Sequence, residues 1–227
     1  MPEEKKVVLM GRRAGELLAG LSDIVDDLWG GVSAAATPAS QTPVPQAAAP
    51  QPAAPQAFPP FEQLWKVADE TVDWTDALVR ETPADGLSDP AEWALYHRHA
   101  ARVLAGDTDA YLAVIEAMQP LGDLSAYAAS FDVAAPSSDE LHAAMQALPC
   151  YLDKPEAEAR RYLAGMAVRI ARDLFALLPV TRVRTDIRRG DKTLLTVTFE
   201  KAGMMTARFA FIDPVAFALQ CGGIFGE

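Results

Sequence analysis

Residues 153–180 read D-K-P-E-A-E-A-R-R-Y-L-A-G-M-A-V-R-I-A-R-D-L-F-A-L-L-P-V, and this stretch decides the fold. It opens with an aspartate and a proline, residues typical of a helix start, and Pro179 ends the pattern. Between these limits, apolar residues recur three or four positions apart: Leu163, Met166, Ile170, Leu174 and Leu177. That spacing places them on one face of a helix. We therefore expect one long amphipathic helix that packs against a sheet.

Short segments with two-residue alternation lie on both sides of this helix. They cover residues 125–134, 140–148, 183–188, 194–200 and 206–212. Residues 189–191 and 201–203 read as hairpin turns between the later segments. Helices followed by strands are typical of an α+β fold. The prediction is N-terminal helices followed by an antiparallel sheet packed on the long helix.

Three further helices are expected before the first strand. The first follows from helical spacing between Phe61 and Leu78. The second begins at Ser88-Asp89-Pro90, where an N-cap precedes a proline, and the third is capped by Asp107 and ends at Pro120. Together with the strands and the long helix, they define a predicted α+β domain over residues 61–227.

Residues 1–32 predict a separate amphipathic helix. Its apolar stripe includes four possible partner-binding residues: Leu17, Leu21, Ile24 and Leu28. An isolated helix of this length is marginal in water, so we expect it to dock on a protein partner or to self-associate. Residues 33–60 are rich in Pro, Ala and Gln and carry no charge, which predicts a disordered, semi-rigid linker that folding does not need.

The overall charge argues against some partners. Twenty Lys and Arg stand against thirty-one Asp and Glu, a formal net charge of −11. Such a chain is repelled by phosphates, so nucleic acid is an unlikely partner, and the absence of a long apolar run argues against a membrane. We expect a cytoplasmic protein. Whether Cys150 and Cys221 are free thiols or form one disulfide stays open.

The charges are also unevenly distributed. Residues 59–150 carry four basic and sixteen acidic side chains, whereas residues 151–201 carry eleven basic and seven acidic ones. Four arginines of the hairpin after the long helix form a possible anion-binding site: Arg182, Arg184, Arg188 and Arg189. The alternative is that the two halves neutralise each other and that the remaining charges are solvated.

No pattern in the chain identifies catalytic residues. Cofactor fingerprints and metal-ligand spacings are absent, so no cofactor and no metal ion are predicted. The favoured function is a non-catalytic binding or scaffolding module with a tethered N-terminal interaction helix. The alternative is an enzyme of unrecognised type that uses carboxylates and arginines in a cleft. A concave site where carboxylates and an arginine converge would favour the enzyme.

Several segments resemble a known family. They are V-D-W-T at residues 72–75, A-G-D-T-D-A-Y-L-A-V-I-E-A-M-Q-P-L-G-D-L at 105–124, A-A-S-F at 128–131, R-I-A-R-D-L-F-A-L-L-P-V at 169–180, L-L-T-V-T-F at 194–199 and I-D-P at 212–214. Together they are similar to the C-terminal region of uncharacterised bacterial proteins that usually carry a small N-terminal domain opening on an M-G-W-R-F-like sequence. In this chain a helix and a Pro/Ala linker stand in place of that domain. The resemblance implies a fold and no catalytic residues.

The N-terminal stripe generates a first prediction. Replacing Leu21 and Ile24 with Asp should abolish docking or self-association, because both residues lie on the apolar face of the predicted helix. Sedimentation velocity and partner capture measure the association, and circular dichroism monitors the folded domain. Unchanged sedimentation, capture and helix content in the double variant would contradict an interaction role for residues 1–32.

Overall fold

The structure is a computed structural model that describes residues 6–10, 60–83 and 89–226. These residues form one compact unit, in which seven α-helices accompany a six-stranded mixed sheet. The strands are β1 (Lys6–Met10), β2 (Ala128–Ser137), β3 (Glu140–Ala147), β4 (Arg182–Arg189), β5 (Lys192–Glu200) and β6 (Ile224–Phe225). The helices are α1 (Trp74–Val79), α2 (Pro90–Leu104), α3 (Thr108–Met118), α4 (Pro149–Leu152), α5 (Glu156–Leu177), α6 (Lys201–Thr206) and α7 (Pro214–Gln220). Two short 3-10 helices lie at Leu64–Lys66 and Gly122–Ala126.

The strands follow one another across the sheet in chain order, from β1 to β6. Every neighbouring pair is antiparallel except β3 and β4, which run parallel with Leu141 beside Val183. The prediction of an antiparallel sheet is therefore wrong at its centre. Helix α5 carries the chain back across the sheet between two hairpins, so β4 starts at the same end as β3.

Helix α5 confirms the predicted long helix and is the most buried element of the fold. It packs against β4 and β5, against the 3-10 helix at Leu64–Lys66 and against α7. Its side chains are buried almost without interruption from Tyr162 to Leu177. In β3, β4 and β5 alternate residues are buried, and those between them are at least partly exposed. This alternation is expected where only one face of a sheet is covered.

Gly165, in the middle of α5, allows a close contact with Trp65. A Cβ atom at Gly165 would lie 2.9 Å from Cε3 of Trp65, which is closer than carbon atoms approach one another. Trp65 is buried, and its carbonyl accepts a hydrogen bond of 2.6 Å from Arg172. Glycine normally weakens a helix interior, so its presence here reflects the space that the indole requires.

Strand β1 falls within the segment 1–32, for which the sequence predicted a helix. Residues 6–10 pair with β2, with Lys6 opposite Ala134 and Met10 opposite Ser130. The pairing partner lies more than a hundred residues away, so the local spacing of apolar residues could not predict this strand. The folded unit thus includes residues outside the predicted domain 61–227. The rest of the predicted helix and residues 33–59 of the predicted linker lie outside the described residues.

Two other segments differ from the sequence prediction. Residues 206–212 were expected to be a strand after a turn at 201–203, but α6 occupies Lys201–Thr206 and α7 follows. Phe209 packs on Phe217 of α7 with ring centroids 5.8 Å apart. The alternating apolar residues at 206–212 therefore include one that contacts a helix and do not form a strand. Between Phe61 and Leu78 the expected continuous helix is replaced by a 3-10 turn and by α1.

The Gly165–Trp65 contact generates a prediction. Gly165→Ala should lower the free energy of unfolding, because overpacking costs about 1–3 kcal/mol while the gain in helix propensity is at most about 1 kcal/mol. Gly203→Ala in α6 is the matched control, since a Cβ there meets nothing within 4 Å. It should leave stability unchanged or raise it. Urea titration measures both, and a stabilised Gly165→Ala variant would contradict the contact.

Candidate functional site

A cavity of about 670 Å³ lies between the segment before α1, the first half of α2 and the end of α3. Seven carboxylates line it: Asp69, Glu70, Asp73, Asp76, Asp89, Glu92 and Asp123. Trp93, Tyr96 and Leu177 contribute apolar surface, and none of its described lining residues is Lys or Arg. We call it the acidic cavity. A concave site lined by one sign of charge concentrates ions of the opposite sign.

Two of these carboxylates are helix N-caps. Asp73 accepts hydrogen bonds from the backbone N–H groups of Thr75 (3.0 Å) and Asp76 (2.9 Å) at the start of α1. Asp89 accepts one from the N–H of Ala91 (2.8 Å) at the start of α2. Negative charge is favourable at both positions. The sequence identified Asp89 as a cap, but it held no signal that both caps face one cavity.

The aromatic wall of the acidic cavity is held in place by hydrogen bonds and ring contacts. The indole N–H of Trp93 donates to the carbonyl of Arg80 (3.0 Å). The ring of Tyr96 meets that of Trp74 edge to face, with centroids 5.4 Å apart. Burial, with added repulsion from Glu92 and Asp69, raises the pKa of Tyr96 to about 12. The phenol therefore stays protonated at neutral pH.

The carboxylates of the acidic cavity are only partly neutralised. Asp76 pairs with Arg80 at 2.6 Å, and Asp123 pairs with Arg169 at 2.9 Å. Glu70 and Glu92 have no cationic partner among the described residues. Within the part of the chain that the structure describes, the negative charge of the cavity is therefore not fully compensated.

Arg169 of α5 lies behind the cavity wall and binds three carboxylates. Its Nε donates to Asp173 at 2.6 Å, and its Nη2 lies 2.9 Å from Asp123 and 3.8 Å from Asp69. The backbone N–H of Asp69 also donates to Asp173 (3.2 Å). Arg169 is 4% exposed and Asp173 is fully buried. This cluster joins α5 to the loop that forms one side of the cavity.

One positive charge in this cluster cannot balance three carboxylates. Burial raises the pKa of Asp173 to about 7, although the hydrogen bond and the charge of Arg169 act in the opposite direction. Burial also raises the pKa of Asp69, which Arg169 lowers and Asp123 raises. Burial would lower the pKa of Arg169, but Asp173, Asp123 and Asp69 raise it overall. Arg169 thus stays charged, and Asp173 exchanges a proton near neutral pH.

The four arginines predicted as an anion site lie on β4 and already have carboxylate neighbours. Arg182 lies 3.2 Å from Glu140, Arg184 and Arg188 lie 3.3 and 3.7 Å from Asp186, and Arg189 lies 4.0 Å from Asp153. The first three share the sheet face that points away from α5. Only the contact of Arg182 with Glu140 joins the basic stretch 151–201 to the acidic stretch 59–150, because Asp186 and Asp153 belong to the basic stretch itself. Anion binding at these arginines stays a prediction.

The possible partner-binding residues Leu17, Leu21, Ile24 and Leu28 lie outside the described residues. Cys150 and Cys221 are free and half-buried. Within residues 6–10, 60–83 and 89–226, no three His, Cys, Asp or Glu side chains are grouped to hold a metal ion. In the same part of the chain, no helix has both the length and the apolar character needed to cross a membrane.

Sequence reasoning missed the acidic cavity and the Arg169–Asp173 pair. The surplus of carboxylates in residues 59–150 was visible, but acidic surfaces are common and the surplus alone does not predict a concave site. Comparisons of the chain with protein-family models, with curated proteins and with solved structures found no match.

The raised pKa of Asp173 predicts a pH dependence of stability. Its folded-state pKa of about 7 exceeds its ordinary value of 3.8, so the native state binds the proton more tightly. The contribution of Asp173 to the free energy of unfolding is therefore fully present below about pH 4 and is lost as the pH rises to about 7. Asp173→Asn should remove this contribution, changing the slope by up to about 1.4 kcal/mol per pH unit.

Urea titrations between pH 4.5 and pH 8 would measure this slope. Asp123→Asn is the matched control, because it also removes a partner of Arg169 but at an exposed position. A slope that is the same in Asp173→Asn and in the wild type would contradict the proton exchange at Asp173.

Proposed function

We propose that this chain is a non-catalytic binding protein whose acidic cavity receives the cationic group of an organic ligand. The observation that carries the proposal is that Glu70 and Glu92 line the cavity without a cationic partner among the described residues. A volume of about 670 Å³ is within the range of small-molecule sites. An ammonium group placed between these carboxylates would reduce their mutual repulsion.

The arrangement of the carboxylates favours an organic cation over a metal ion. A divalent metal ion needs several oxygen ligands at one point, and the described carboxylates are not grouped in that way. Charge spread over a wider cavity suits a ligand with more than one ammonium group. Trp93 and Tyr96 add aromatic surface, against which ammonium groups and hydrocarbon chains both bind favourably. A linear polyamine has this chemistry.

The alternative is an enzyme that uses carboxylates and arginines in a cleft. Its support is the convergence of Asp69, Asp123 and Asp173 on Arg169. We favour binding because Arg169 is 4% exposed and its guanidinium is already bonded within the protein. A group so enclosed is suited to holding the cavity wall rather than to contacting a substrate.

Two further elements of the proposal rest on the sequence. A protein partner or self-association through residues 17–28 remains part of it, because the stripe needs a covering surface. A bacterial cytoplasmic location is the other. The free thiols of Cys150 and Cys221 support a reducing compartment.

Spermidine is a suitable probe of the acidic cavity. Isothermal titration calorimetry, with tryptophan fluorescence as a second readout because Trp93 lines the cavity, should detect binding that weakens as salt is raised. The double variant Glu70→Gln/Glu92→Gln should weaken binding by roughly 2- to 30-fold, since exposed ion pairs contribute about 0.2–1 kcal/mol each. Neither residue caps a helix, so the fold should be retained.

The matched control is Glu62→Gln/Glu116→Gln, which removes the same charge at exposed positions away from the cavity. It should bind spermidine as the wild type does. An equal loss in both double variants would show a general attraction to an acidic protein and would contradict a specific site. Absence of wild-type binding at millimolar spermidine would also contradict it.

A further inference from the structure

Strand β1 reaches its place in the sheet through a connection of 49 residues between Met10 and Pro60. Both ends of this connection lie close to the start of β2. Met10 pairs with Ser130, and the hydroxyl of Tyr127 donates to the carbonyl of Pro60 (3.3 Å). The two ends of this connection therefore lie near each other at the start of β2, and no short loop fixes β1 in its place.

Strand β1 makes few contacts, and its two faces have different surroundings. It pairs with β2 over five residues at the edge of the sheet, and α3 packs against it. Val7 is partly buried against the hydrophobic core, whereas Val8 is 51% exposed and lies opposite Asp132. A short edge strand opens at a lower free-energy cost than the centre of a sheet. When β1 opens, the backbone groups of β2 that face β1 between Ser130 and Ala134 lose their partners, while the pairing of β2 with β3 remains.

We propose that the edge of β2 is a strand-accepting site that takes β1 from a second copy of this chain, which gives a strand-exchanged dimer. Complementarity is complete, because an identical strand in trans makes every contact that β1 makes in cis. A chain of 49 residues spans up to about 160 Å when fully extended, so the length of the connection does not prevent β1 from reaching a second copy.

The long connection also sets the concentration at which exchange occurs. A tethered strand acts at an effective concentration of about 1 mM or less, and the value falls as the tether lengthens. The monomer with its own β1 in place should dominate at micromolar protein. The exchanged dimer should form when the chain refolds near the effective concentration of the tether. This inference concerns the sheet edge and is independent of the ligand of the acidic cavity.

The experiment uses the full wild-type chain. It is refolded from urea at about 10 µM and at about 1 mM, and each sample is examined by sedimentation velocity at the concentration at which it refolded, because a strand that opens easily would return to its own chain on dilution. We expect a dimer only after refolding at about 1 mM. Excess synthetic peptide of residues 1–11 during refolding should reduce the dimer at least fivefold, because the peptide occupies the β2 edge in trans.

Two variant peptides distinguish strand pairing from unspecific competition. A Val7→Lys peptide should not reduce the dimer, because it places a charge against the core. A Val8→Lys peptide should reduce it as the unmodified peptide does, because this side chain points to solvent beside Asp132. A chain that stays monomeric at both concentrations would overturn the proposal, even if the peptide binds. So would a dimer that is insensitive to all three peptides.

Discussion

The burial of helix α5 is the constraint on which the rest of the structure depends. The sheet covers one side of it, while Trp65 and α7 cover others, so almost every side chain from Tyr162 to Leu177 is removed from water. A helix enclosed in this way needs a small residue wherever a neighbour approaches closely, as at Gly165 beside the ring of Trp65. It also has to pair any charge that it carries inward. Both requirements shape the surrounding elements.

Arg169 and Asp173 are the charges that α5 carries into this enclosed region. Their pairing with each other is local, four residues apart on one helix, but their remaining hydrogen-bonding groups reach Asp123 and the backbone of Asp69. The cluster therefore fixes the loop before α1 and the segment after α3 to the same point of α5. The acidic cavity lies between these two segments, so the hydrogen bonds of Arg169 and Asp173 hold two of its sides in place.

The strand pairs of the sheet differ in how far apart their residues lie in the sequence. Each hairpin pairs residues close in the chain, whereas the parallel contact of β3 with β4 joins strands that lie on either side of α5 in the sequence. The contact of β1 with β2 crosses more than a hundred residues and rests on five paired positions. The central strands thus pack on the hydrophobic core. The edge of β2 is covered only by β1, which a long connection joins to the rest of the fold.

The sequence by itself determined the mixed α/β character of the chain, the long helix near residues 155–178, and the strands at β2 to β5. Local periodicity, helix caps and turn residues encode these features within a few positions of each element. Only the tertiary structure decided the parallel centre of the sheet, the β1 edge and the helices at 201–220, because each depends on partners that are distant in sequence. The same reason applies to the acidic cavity. Nothing in the sequence distinguishes Asp69, Glu70, Glu92 and Asp123 from other carboxylates, and they line one concave site because the fold brings their segments together.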